Sequence, residues 1–171
     1  MIMIRMGGAV LAAMLAVTLG IGGLSGADQP IDRESLRALD GVRVVVEDLP
    51  ASAPTELNKE ALRKSVESKV AAAHIPVLNS GEYPVGDPFL RVKIKMTPES
   101  GGLIAYHVEL DFAQIVFIRR NPQQTFNRAQ TWAADARMGL VARKQLAERV
   151  RKDLDAQVDQ FIAAYLSVNS K

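Results

Sequence analysis

The run from Leu103 to Arg120, LIAYHVELDFAQIVFIRR, constrains the fold more than any other stretch. Ile104, Tyr106, Val108, Leu110 and Phe112 alternate with His107, Glu109 and Asp111. Extended backbone points successive side chains to opposite faces, so this pattern predicts a strand with one buried face and one polar face. At about 3.3 Å per residue it would reach about 55–60 Å, too long for one straight strand in a domain of this size. A bend or bulge is therefore expected near Ala113 and Gln114, where Ile115 and Phe117 end the polar alternation.

The neighbouring segments supply a sheet for this strand to join. Phe89 to Met96 alternates Leu90, Val92, Ile94 and Met96 with Arg91, Lys93 and Lys95, and Thr97 to Gly102 is a turn sequence. A hairpin follows, with Arg91 expected opposite Glu109, Lys93 opposite His107, and Lys95 near Ala105. Upstream, Val42 to Leu49 is β-branched and reads as an interior strand. Asn58 suits a helix N-cap, with Leu57 and Leu62 as a hydrophobic staple and Leu62, Val66, Val70 and Ala73 as an apolar stripe. Pro76 forbids that helix from continuing past His74 and Ile75, and Pro76 to Leu78 reads as a short strand parallel to the first.

After a turn at Arg119 to Gln123, a strand is expected over Thr125 to Met138, broken by Gly139. A long helix then runs from about Arg143 to Leu166, with Leu146, Val150, Leu154, Val158, Phe161, Ile162 and Tyr165 on one side. Together these elements predict an α+β fold. It is a two-layer α/β sandwich in the order β-α-β-β-β-β-α, with a mixed sheet of about four or five strands and two main helices on one face.

Met1 to Ala27 has the form of a secretory signal. Arg5 precedes an apolar core from Ala9 to Leu24, and Ser25-Gly26-Ala27 provides small residues for cleavage before Asp28. The apolar run is shorter than the roughly 20 residues of a spanning helix. The expected organisation is a signal over 1–27, a lead with a short helix capped by Asp32 over 28–41, and a single α/β domain over 42–171. Membrane attachment would come only through an uncleaved signal. Export to the periplasm or beyond then leaves a chain without cysteine to rely on its core, for which 48% apolar residues are adequate. The absence of cysteine also excludes thiol nucleophiles and thiolate metal sites. A net charge of +2 is too small to imply nucleic acid as partner.

His107, Glu109 and Asp111 share one strand face at spacing two and form the best acid/base or metal constellation in the chain. Alternate side chains diverge by about 7 Å along a strand, which suits a charge ladder with Arg91 and Lys93 better than a metal cage. These five residues are the candidate ligand site. No metal, cofactor or catalytic residue is assigned. Arg119, Arg120 and Arg128 read as a solvated hairpin tip, and Trp132 as packing.

GVRVVVEDL, HIPVL, PFLRVKIKM, AYHVELDFAQIVFIRR, AQTW and VDQFIAAYLSVN together resemble a family of short exported bacterial proteins whose motifs carry no known chemistry. The element order is also similar to small envelope modules such as the amino-terminal domain of TolB. The secretory signal, the lack of a catalytic constellation and the long strands, which offer an edge for strand addition, point to a non-catalytic envelope module that binds another envelope protein or assembles with it. The alternative is a small molecule or lipid held between sheet and helices. A hydrolytic enzyme built on Glu109, Asp111 and His107 stands last.

Overall fold

The computed structural model describes residues 28–79, 81–82 and 84–169. The expected signal over 1–27 lies outside them. The fold is α+β: a mixed five-stranded sheet with its two long helices packed on one face.

The sheet is built from β1 (Arg43–Val46), β2 (Phe89–Pro98), β3 (Leu103–Ile118), β4 (Asn121–Ala133) and β5 (Arg137–Ala142). β1 pairs in parallel with β2, and β2 is antiparallel to β3. β4 and β5 both lie antiparallel along the far side of β3, β5 against residues 103–108 and β4 against residues 111–118. Val44, Val46, Leu90, Val92, Val108, Leu110 and Phe112 point to one face and form the core with α2 (Lys59–Ala72) and α3 (Arg143–Asn169). Trp132, Phe112 and Phe161 fill its centre, the Trp132 and Phe161 rings meeting edge to face at 5.6 Å.

Local chemistry accounts for the boundaries. Asn58 Oδ1 accepts from the Ala61 amide at 3.0 Å, so the expected N-cap starts α2. α2 ends where His74 turns to φ 60°, with the Ile75 amide donating back to the Val70 carbonyl. The bend expected in β3 is present as two register shifts, between Phe112 and Ala113 and between Gln114 and Val116.

Several expectations are corrected. Pro76 to Leu78 forms no full strand; Val77 makes a single parallel bridge to Val42, and the parallel partner of β1 is β2. Asp32 is not the N-cap of the lead helix α1 (Pro30–Arg33); Gln29 holds that position with Pro30 in the first turn, and Asp32 lies at the third helical position, its carboxylate accepting from the Gln29 amide at 3.4 Å in a capping box. A 3₁₀ turn over Glu34–Leu36 follows, and Ala38 takes φ 53°. The strand placed over Thr125 to Met138 is two strands, interrupted at residues 134–136.

Gly139 breaks neither of them. It lies inside β5 opposite Tyr106, where a β-carbon would come within 2.8 Å of the Tyr106 ring. A glycine lets the aromatic ring lie over the strand, which is why it is accommodated there.

Candidate functional site

The polar face of β2 and β3 brings together four of the five residues singled out from the sequence. Arg91 lies opposite Asp111 and Lys93 opposite Glu109, a shift of two residues from the expected pairing. The shift follows from the turn: Pro98 pairs with Ile104, and Gly101 and Gly102 take left-handed φ of 71° and 73° at its apex. Arg91 Nε donates to Asp111 Oδ1 at 3.0 Å and Nη2 to Oδ2 at 3.2 Å. Lys93 Nζ lies 2.6 Å from Glu109 Oε1 and 2.7 Å from Asp111 Oδ2. His107 stays outside this cluster, across from Lys95 on β2 and Met138 on β5.

This ladder is not fully solvated. Asp111 is 0% exposed, closed over by Arg91 and Lys93, with buried Ala133 opposite it on β4. Burial pulls the Lys93 ammonium down, but the Asp111 and Glu109 carboxylates outweigh that and hold it above the ordinary lysine range. Burial likewise pushes Glu109 up, and the Lys93 ammonium more than reverses it. The Glu109 carboxylate is therefore held ionised by the Lys93 cation. Among the described residues no group of three His, Asp or Glu side chains is placed to hold a metal ion.

A second polar group sits under the other face. Tyr106 Oη donates to Asp153 Oδ2 at 2.6 Å, and Arg149 Nε donates to Tyr106 Oη at 3.1 Å. Burial, reinforced by the bond to Asp153, holds the Tyr106 phenol above its ordinary range. The group ties β3 to α3 at the level of Gly139. Sequence reasoning missed it because Asp153 and Arg149 fall on the edge of an otherwise apolar helical stripe.

β5 is also the open edge of the sheet at this point. It pairs with β3 over six consecutive positions without a register shift, and on its other side no backbone hydrogen bond is made among the described residues. On the open face, Met138 and Leu140 are 75% and 56% exposed and border a mostly apolar trough of about 470 Å³ with Ala105, His107, Lys95 and Thr97. On the helix face, Gly139 and Val141 border a cleft of about 350 Å³ with Gln145, Glu148, Arg149 and Lys152 of α3. Those four helical positions follow the i, i+3, i+4, i+7 spacing of one stripe, so α3 forms a wall parallel to the strand edge.

β4 offers a different edge. Its pairing with β3 shifts at three places, Arg128 takes φ 58°, and Pro122 lies within the strand. Bulges and proline are the devices that keep an edge strand from recruiting another. Beyond Gln114 the β3–β4 pair forms a ribbon, with Phe117 and Phe126 69% and 47% exposed. Arg119, Arg120 and Arg128 on this ribbon are exposed and have no carboxylate within ion-pair distance among the described residues.

No family model matches this chain, and no curated protein matches it. Among solved structures, a minor lipoprotein from Acinetobacter baumannii is similar at 16% identity with a TM-score of 0.33, covering 73% of this chain and 92% of that one. A likeness at that level carries no argument about fold or function.

Proposed function

We propose that this chain is an exported, non-catalytic module of the cell envelope that binds a protein partner by strand addition at β5. One observation carries the reading: β5 presents a regular edge, unpaired among the described residues, with a cleft on either face, while the edge of β4 beside it is broken by bulges. An incoming strand completes the backbone hydrogen bonds of such an edge, and flanking clefts receive its alternate side chains. The Met1 to Ala27 pattern supports export. The sealed Asp111 carboxylate argues against the hydrolytic reading, since a buried, doubly paired carboxylate has no access to substrate.

The reading with a ligand between sheet and helices has less support. That interior is filled by Trp132, Phe112 and Phe161, and the opening between α2 and α3 is about 150 Å³.

The test is a photoreactive side chain placed at Met138 in living cells, with the exposed Val85 as control. A discrete protein adduct from position 138 alone, lost when Leu140→Pro disrupts the edge, is the expected result. Equal labelling from both positions would remove β5 from the function. Amino-terminal sequencing of the mature protein tests export, with Asp28 as the expected first residue.

A further inference from the structure

We infer that the ribbon formed by the ends of β3 and β4, residues 115–128, docks on the surface of an anionic lipid bilayer. Its arginines pair with lipid phosphates, and its two exposed phenylalanines enter between the headgroups. This surface is separate from the β5 edge and adds a membrane contact to the one expected from residues 1–27.

The ribbon's charge has one sign. From Phe112 to Ala134 the sequence contains Arg119, Arg120 and Arg128 and no lysine, aspartate or glutamate. All three arginines are exposed, and among the described residues none has a carboxylate within ion-pair distance. The carboxylates on the segments that adjoin the ribbon's root are engaged locally. In the lead, Asp28 pairs with Arg33, Glu34 with Arg37, and Asp32 accepts from the Gln29 amide. Asp87 pairs with Arg43, in the loop whose Gly86 carbonyl accepts from the Ile115 amide, and Glu82 accepts from the Asn79 amide. A guanidinium presents a planar fork that matches a phosphate with two hydrogen bonds, so arginines without lysine suit phosphate groups in particular.

The apolar groups favour lipid over a groove on a protein. Val116 pairs with Phe126 and Phe117 with Thr125, so the two phenylalanines lie on opposite faces of the ribbon. They are 47% and 69% exposed at 126 and 117. A protein groove covers one face of a ribbon, whereas lipid surrounds both at once. Depth is limited by the backbone. Among the described residues the ribbon pairs only within itself, and its outer amide and carbonyl groups need water or headgroups as partners. The ribbon therefore rests at headgroup level, with its rings against the upper acyl chains.

The chain also enters the domain beside this ribbon. Asp28 Oδ1 accepts from Trp132 Nε1 at 2.9 Å, and Gln114 Nε2 donates to the Ser35 carbonyl at 3.4 Å. From Trp132 to the turn at Arg119 is about 20–25 Å along the strands. An exported chain still held by its amino-terminal segment has the ribbon within reach of the bilayer.

The test uses the exported protein, purified from cells that produce the full chain, in co-sedimentation with vesicles. These are phosphatidylcholine alone or with about a third phosphatidylglycerol. Three cations near an anionic surface correspond to roughly hundredfold tighter binding to the anionic vesicles, weakened by added salt. Arg119→Gln, Arg120→Gln and Arg128→Gln together should bring the anionic vesicles down to the neutral level with the thermal midpoint unchanged. The chain has no cysteine, so Phe117→Cys or Phe126→Cys can each carry an environment-sensitive fluorophore, with the exposed Met138→Cys on β5 as control. Both ribbon labels should brighten with anionic vesicles and the control should not. Equal binding to the two vesicle types, no binding to either, or a preference that survives the triple substitution would overturn the proposal. Brightening at one ribbon position alone, or with lipid-free envelope proteins and not with vesicles, would assign the ribbon to a protein groove instead. None of these outcomes touches strand addition at β5, which crosslinking from position 138 reads separately.

Discussion

Gly139 stands directly across the β3–β5 ladder from Tyr106, and a β-carbon on Gly139 would lie 2.8 Å from the tyrosine ring. That ring carries the hydroxyl bonded to Asp153. Gly139→Ala must therefore displace the ring and stretch a buried hydrogen bond. A loss of about 1–3 kcal/mol in urea unfolding is expected, the usual cost of overpacking a core. An unchanged midpoint would mean that the ring moves freely and that the Tyr106–Asp153 bond does not hold β3 to α3.

The ladder on the opposite face separates a buried carboxylate from a half-buried one. Asp111→Ala leaves Arg91 and Lys93 without their shared partner and should destabilise by about 3 kcal/mol. Glu109→Ala removes a more exposed partner of Lys93 and should cost less than about 1 kcal/mol. Equal effects in denaturant titrations would contradict the burial difference between the two.

The same groups set a pH window. The folded state lowers the Glu109 pKa, so its stabilisation is complete above the unfolded value of roughly 4.3 and is lost as pH falls through the depressed folded value. It raises the Lys93 pKa, so that stabilisation is complete below roughly 10.4 and is lost as pH rises through the folded value. Thermal midpoints should form a plateau between these limits and fall on both sides. Lys93→Met should remove the Glu109 contribution to the acid limb, which a series of melts from pH 3 to 6 would read (the range is about one unit to either side of the glutamate value).

Asn58 accepts the Ala61 amide and starts α2. Asn58→Ala should cost about 1 kcal/mol, and Asn58→Gly only a few tenths. The ordering of the two variants in chemical denaturation is the informative result, because a packing role for the side chain would make glycine the worse replacement.

The outer ribbon and the inner half of β3 should differ in amide exchange. Residues 104–108 and 111–112 pair on both sides, with β2 throughout and with β5 or β4. Among the described residues the ribbon beyond Val116 pairs only within itself. Exchange at 119–127 should approach the rate of a free chain while 104–108 exchange last, and trypsin should cut first at Arg119 or Arg120. Uniform protection along β3 would show that something else orders the ribbon.

Period-two alternation made most of the architecture legible. Ile104 to Phe112 and Leu90 to Met96 identify two paired strands because a buried face needs apolar residues at every second position, and no other local geometry has that period. Asn58 and Pro76 likewise mark helix limits through groups that act within one turn. What escaped was set by partners distant in sequence. The hairpin register depended on whether Gly101 or a residue beside it sat at the apex, a choice of turn geometry that composition leaves open. Gly139 reads as a breaker unless Tyr106 is known to lie opposite it.

The candidate site divides in the same way. The sequence placed Arg91, Lys93, Glu109 and Asp111 on facing strands, and the structure joins all four. It could not give the burial of Asp111, which depends on two long cations folding inward. The β5 edge was hidden for another reason. Residues 121–142 are one continuous β-rich stretch, and only the interruption at residues 134–136 separates the guarded edge from the open one.

Ala142 ends β5 and Arg143 begins α3, with no loop between them. A strand anchored along β5 would therefore transmit a pull straight along the strand axis and into the helix. The six β3–β5 pairs would share that load together, in shear, instead of opening one after another from an end. The junction makes this edge a mechanically stiff place to hold a partner, with α3 acting as the strut behind it.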